Sequence, residues 1–353
     1  MELFIDLNKG RIDTSKLVRK PVQVHGKNGK MFIRMQWVDP KTGQPVSKEG
    51  KPQQPKTGDG GKPPRDPDKG GIDKSKLKEG TNIEDHPELL DKLNESADLL
   101  LSRVKGKKLE KPIREVLDKF KPSQVFNGVF QGHSIEGLEH VFSHPDGKYT
   151  ASMTGADLTI NHKGEIGIMA DFDLKSKDNK YIGNISREVY RRDNGYHIYN
   201  EMFSFYEGTM GKGYAKTMYN RTEEYWKHLA NGGQVSVSVL ANISVGKYCW
   251  AKEGFKFSSD FDREQMANQF IKFCKGNKID SDKVLEENGY SDVHELSQPI
   301  DFASLNDNEI YDLKKLAPMD AKDDIVGQGH LGKAFMLGGC DSWYGTKIIT
   351  DEE

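Results

Sequence analysis

Four runs between Tyr149 and Tyr206 alternate apolar and polar side chains at a period of two, and this pattern limits the fold more than any other stretch of the chain. The runs Tyr149 to Asn161, Glu165 to Leu174, Tyr181 to Arg191 and Tyr196 to Tyr206 predict strands. Their joins include His162-Lys163-Gly164 and Asp193-Asn194-Gly195, which carry the Gly and Asn that tight hairpin turns need, so the strands form an antiparallel meander. The period then changes. Residues 213 to 230 carry a helical stripe of Ala215, Met218, Thr222, Tyr225 and Leu229, followed by the alternating strand Gln234 to Leu240 and a short helix over 245 to 253 capped by Gly254. This order predicts an α/β (α+β) domain with a mostly antiparallel central sheet flanked by helices.

Ahead of the meander, apolar residues at helical spacing predict amphipathic helices over 85 to 104 and 109 to 120, a helical lead-in spanning 82 to 122. Residues 39 to 81 hold seven of the 14 prolines, many glycines and lysines and little to bury, the composition of an extended linker. Residues 1 to 38 end in alternating strands around Gly26-Lys27-Asn28-Gly29, a hairpin tethered by that linker and expected to dock on a partner. The hexad Ile12 to Leu17 is echoed by Ile72 to Leu77, one repeat, which is too few for an array. Beyond Phe257, helices are expected over 262 to 275 and 304 to 316, within a C-terminal extension over 259 to 353. Its stretch from 280 to 324 holds 13 carboxylates against 4 lysines, and its Gly-rich and apolar end is expected to be ordered.

Composition narrows the function. No run approaches the roughly 20 apolar residues of a membrane-spanning helix, and the start lacks the order of a secretory signal, so an intracellular protein is expected. Cys249, Cys274 and Cys340 are odd in number and far apart, which fits reduced thiols and neither a disulfide framework nor a zinc knuckle. A net charge of −2 conceals an asymmetry: residues 1 to 80 hold 18 Lys and Arg against 10 Asp and Glu, leaving −10 for the remainder. A basic arm of this kind suits a solvated tether, with adhesion to nucleic acid as the alternative.

The segment Glu207-Gly208-Thr209-Met210-Gly211-Lys212-Gly213 joins a strand to a helix. Glycines at 211 and 213 permit a sharp turn and keep side chains away from the first helical amides, where free N–H groups and the positive end of the helix dipole attract a diphosphate. A plain strand-to-helix turn explains the same residues. The element order around it, with Ala241-Asn242 and Tyr248-Cys249-Trp250-Ala-Lys-Glu-Gly254-Phe255 beyond, resembles the GNAT superfamily of acetyl-CoA-dependent N-acetyltransferases over about residues 123 to 258. The resemblance implies acetyl-CoA as cofactor, no metal, and transfer of an acetyl group to an amine on a small molecule or protein. It implies that Met210, Gly211, Lys212, Gly213 and Tyr214 hold the pyrophosphate, that the strand around Phe205 pairs with the pantetheine amides, and that Asn242 orients the acyl end where the strand at 234 to 240 splays away.

Two positions depart from the family pattern. Gly208 stands where the family has Gln or Arg, and Trp250 where it has the tyrosine that protonates the leaving thiolate. An indole N–H is no useful acid at neutral pH. Tyr248 is the substitute in sequence, rotated about 200° from Trp250 on a helix. Glu201 and Glu207 are candidate general bases, equally explicable as charges on a solvated sheet face. His133, His140 and His144, with Glu136, share a helical spacing that suits either a packed face or, less simply, a metal. Trp37, Trp226 and Trp343 fall in apolar patterns and are expected in the core or at docking points.

The stretches from Lys16 to Lys30 and Met35 to Asp39 resemble segments of bacteriophage head and virion-associated proteins, and Gly329 to Leu337 is similar to phage-encoded members of the same fold. They imply a bacterial or phage origin, a cytoplasmic or virion-associated location and a virion or protein partner for the hairpin. On that footing the alternative function is an inactive scaffold packaged as a structural protein.

Overall fold

The computed structural model describes residues 18–25, 31–38, 71–205, 213–241, 244–316 and 327–349. The chain divides into two units, residues 1–66 and 67–353. In the first, β1 (Val18–His25) and β2 (Met31–Val38) form the expected antiparallel hairpin, with Val18 opposite Val38 and His25 opposite Met31.

The second unit opens with two short 3-10 turns, Lys74–Lys78 and Ile83–Asp85, followed by α1 (Pro87–Val104), α2 (Glu110–Lys119), α3 (Pro122–Val129) and α4 (Ile135–Phe142). The meander comes next: β3 (Tyr149–Ile160), β4 (Ile166–Ser176), β5 (Tyr181–Arg192) and β6 (Gly195–Phe205). Its first turn is closed by Asn161, whose Oδ1 accepts from the backbone N–H of Lys163 and of Glu165. Then follow α5 (Tyr214–Ala230), β7 (Gln234–Ala241), α6 (Ser244–Lys252), β8 (Lys256–Phe257), α7 (Asp260–Gly276), α8 (Ser281–Asn288), α9 (Pro299–Ser304), β9 (Tyr311–Asp312), α10 (Leu313–Leu316), β10 (Gln328–Gly329), α11 (Leu331–Gly338) and β11 (Trp343–Ile349).

Seven strands form one sheet in the order β3-β4-β5-β6-β7-β11-β8, antiparallel at every junction except the parallel β6–β7 pair, which α5 bridges. The fold is therefore mixed α/β with a mostly antiparallel sheet. Ile185, Val189, Ile198, Val235, Val237 and Val239 are buried on one face, as period-two alternation demands. Helices cover this face: Phe142 of α4 stacks on Phe172 of β4 at 4.3 Å, and Trp226 of α5 meets Phe142 edge-on at 6.4 Å. Trp226 and Trp343 are both in the core, as their patterns predict, while the side chain of Trp37 lies outside the described residues.

Two expectations about the elements are corrected. The linker does not reach residue 81, because Ile72 and Leu77 are buried in the second unit and Arg221 donates to the carbonyls of Gly71, His140 and Val141. Two apolar side chains among lysines and glycines suffice once a groove exists to receive them. The Gly-rich and apolar C-terminal end is ordered and packed, and it contributes β11, inserted between β7 and β8 in the central sheet. The helix expected over 304 to 316 is interrupted: the Asn306 and Asp307 side chains accept from the N–H groups of Asn308 and Glu309, offering the backbone an alternative to the helical ladder, and Asn308 is left-handed at φ 67°.

The histidines expected on one helical face are also separated, because α4 contains only His140. His133 is buried against the Tyr225 hydroxyl (3.0 Å), His140 lies beside Arg221, and His144 packs edge-on to Tyr149 at 5.3 Å. No helix among the described residues is long and apolar enough to cross a membrane.

Candidate active site

The β6–β7 ladder joins Gly195–Asn200 to Gln234–Val239 and stops. Beyond it β6 continues to Phe205, bonded to β5 alone, and β7 continues to Ala241, bonded to β11 alone. The two strands part after Asn200 and Val239, leaving the β6 edge over 201–205 without a ladder partner on that side among the described residues. A bulge marks the parting point. The β5–β6 register slips between Ser186, opposite Met202, and Arg187, opposite Asn200, so Glu201 is the extra residue. Such an insertion bends a strand and strengthens its twist, which turns the end of β6 out of line with β7. At the other end Gly195 permits close approach, since a Cβ there would overlap the Gln234 carbonyl.

Helix α5 starts beside the free edge. Gly213 is its N-cap in the left-handed region at φ 76°, with open space where a Cβ would stand. No side chain caps this end and its first turn holds no acidic residue, so among the described residues no side chain neutralises the first-turn N–H groups. Phe205, which ends β6, and Tyr214, which starts α5, have ring centroids 6.0 Å apart, and both rest on Tyr149, at 5.8 and 5.3 Å. This aromatic cluster holds strand end and helix start together. Of the residues expected to grip a CoA molecule, the structure thus brings together Phe205, Gly213 and Tyr214. Met210, Gly211, Lys212 and Asn242 lie outside the described residues, as does Glu207.

Trp250 on α6 faces the parting strands. Its ring lies 6.0 Å from Phe203, 5.5 Å from Tyr219 and 5.2 Å from Phe255. Tyr248 turns the other way, as the 200° offset requires, to His330 at 6.3 Å and Lys333, whose Nζ is 6.0 Å from the ring centre. Burial raises the Tyr248 hydroxyl pKa. The substitute acid expected from sequence is therefore packed toward α11, away from the β6 edge.

Glu201 lines a cleft of about 200 Å³ with Glu188, Tyr199, Asn161 and His162. Alternation puts Glu188 on the sheet face opposite Arg187. Tyr190 and Thr159 donate to the two oxygens of Glu188, at 2.6 and 3.1 Å, which fixes that carboxylate. Glu201 is exposed at the rim of this cleft, and partial desolvation there, and next the Glu188 charge, raise its carboxyl pKa from the ordinary value, opposed by Arg187. A carboxylate with a raised pKa takes a proton more readily than an ordinary one, the property a general base needs.

Sequence reasoning passed over two residues beside this site. Arg187 interrupts the inward series Ile185, Arg187, Val189, and an arginine at an inward strand position was the available signal. It is 3% exposed, donates through Nη1 to the carbonyls of Ser186 (2.8 Å) and Met202 (2.6 Å), and lies under the Phe203 ring at 5.2 Å. Its register partner Asn200 is 9% exposed, and its Nδ2 has no acceptor among the described residues. Comparisons with family models, with curated proteins and with solved structures found no match for this chain.

Proposed function

We propose that the protein is an acetyl-CoA-dependent N-acetyltransferase acting on an amine. The observation that carries the reading is the parallel β6–β7 pair that parts after Asn200 and Val239, next to an uncapped helix start at Gly213. The residues fit the group. The free β6 edge over 201–205 offers N–H and C=O groups to pantetheine amides in the manner of an added strand, and the open left-handed Gly213 and first-turn amides of α5 suit a diphosphate. Acetyl-CoA supplies an acetyl thioester, from which an amine nitrogen takes the acetyl group to form an amide and release the thiol. The Glu201 carboxylate accepts the proton that the amine loses, directly or through a water in the cleft shared with Glu188 and Tyr199, and gives it up to solvent, from which the departing thiolate takes the proton that makes it a thiol. Phe205 and Tyr214, locked on Tyr149, keep the edge and the helix start in fixed relation.

A second reading has its own support. Trp250 stands where the resemblance calls for a tyrosine acid and is packed against Phe203 and Phe255, so the fold also suits a cofactor-binding scaffold without transfer. Calorimetric titration of the full chain with acetyl-CoA, followed by an acetylation assay on a panel of amines, separates the two. Binding with turnover supports the enzyme, binding without turnover supports the scaffold, and no heat up to millimolar acetyl-CoA refutes both.

A further inference from the structure

Three basic side chains, Arg187, Arg221 and Lys247, are buried among the described residues of the second unit and Lys347 is half-buried, and their partners differ. Lys347 pairs with Glu223, Lys247 donates to the Cys340 carbonyl, and Arg221 is held by three carbonyls. Arg187 differs from Lys347 in having no hydrogen-bonded carboxylate among the described residues, and from Arg221 in using a single nitrogen. Taking a cation from water costs several kcal/mol unless an anion or a full set of acceptors repays it. The Glu201 carboxylate feels the Arg187 charge, but no hydrogen bond joins the two, and Glu201 lines the cleft with Glu188. Beside Arg187, opposite it in register and on the same sheet face, the Asn200 amide presents a buried Nδ2 with no acceptor among the described residues. At the last rung before β6 and β7 part, the guanidinium is thus bonded only through Nη1, to two carbonyls, and the neighbouring amide N–H groups lack an acceptor among the described residues.

We infer that Arg187 and Asn200 form a receptor for a carboxylate that reaches them where β6 and β7 separate. The planar guanidinium fork matches a planar carboxylate through its unused Nε and Nη2 edge, and the Asn200 Nδ2 supplies a further N–H. Phe203 lies over the guanidinium and against Trp250, and Tyr219 adjoins both Trp250 and the Arg187 charge. These apolar walls select a ligand with a short carbon body ending in the carboxylate. Two sources share this chemistry: the far end of a dicarboxylic acyl group carried as a thioester, which rests on the acyl-transfer reading above, or a free small acid, which does not.

The test uses the full chain in calorimetry with succinate, succinamide, succinyl-CoA and acetyl-CoA. Succinate or succinyl-CoA should bind saturably, and succinyl-CoA more tightly than acetyl-CoA if the acyl end is the source. Uncharged succinamide should bind at least about tenfold more weakly than succinate, as loss of a charge-assisted contact requires. Arg187→Gln and, independently, the near-isosteric Asn200→Asp should each weaken the carboxylate ligand by a similar factor. Circular dichroism and urea unfolding check that the variants fold, and Asn200→Asp carries the test should Arg187→Gln fail to do so. Acetyl-CoA bound without any preference for a carboxylate ligand overturns the receptor and leaves acyl transfer standing. Succinate bound without acetyl-CoA does the reverse. Succinamide binding as well as succinate, or Asn200→Asp binding succinate unchanged, also overturns it.

Discussion

Leu77→Ala should destabilise the second unit by about 3 to 4 kcal/mol, within the range for a buried leucine truncated to alanine. Leu77 is 1% exposed and sits on the 3-10 turn Lys74–Lys78, capped by Asp73. Its carbonyl accepts the Ser134 N–H at 3.0 Å, and Gly137 of α4 lies so close that a Cβ would overlap the Leu77 backbone. The backbone is thereby pinned and the hole left by the side chain collapses little, which keeps the cost clear of the lower end of the range. Urea unfolding of the full chain, followed by fluorescence of the buried Trp226 and Trp343, reads the loss as a fall in midpoint of about 1 to 2 M at an unchanged slope. If residues 71–81 were linker, the same change would cost close to nothing. A midpoint shift below about 0.3 M refutes the packing argument. The same geometry bears on any binding experiment: a fragment that starts at residue 82 lacks Ile72, Leu77 and the Gly71 carbonyl that holds Arg221.

His133 and His197 are buried, and burial lowers each pKa to about 4, so the fold holds the neutral ring. Their contribution is present above the unfolded value near 6.5 and lost as pH falls toward 4; at pH 5 each costs about 2 kcal/mol relative to pH 7. The stability difference between pH 7 and pH 5 should therefore shrink by about that amount in His197→Gln, and an identical difference in wild type and variant contradicts the assignment. Native thiol titration should modify Cys249, which is exposed, well before Cys274 and Cys340, whose burial raises their pKa to about 12; simultaneous reaction of all three in folded protein opposes this. Tyr248→Phe should leave any acetyl transfer within about twofold, because the ring faces α11, and a loss of about 100-fold would restore Tyr248 as the acid.

Much of the fold was legible in the chain. Alternation from Tyr149 to Phe205, the Gly and Asn turns and the stripe of α5 give the meander, the crossover helix and β7 with boundaries shifted by a residue or two, because period and turn chemistry are local properties. The basis for the candidate site was legible only in part. The glycine at 213 and the strand end at Phe205 announce themselves, and the opposite directions of Tyr248 and Trp250 follow from helix geometry alone. Three features belong to the tertiary structure. Glu201 becomes a bulge only because β5 pairs with β6 out of step there, a relation between strands that neither strand's sequence contains. Ile72 and Leu77 leave the apparent linker because α4 and α5 together make a groove, and burial is a property of that groove. Arg187, which lacks a hydrogen-bonded carboxylate, and Asn200, whose Nδ2 lacks an acceptor among the described residues, become neighbours only through the β5–β6 register at the point where β7 turns away. Local sequence sets the dihedral preferences and the apolar period, while pairing register and burial are settled by contacts between segments far apart in the chain.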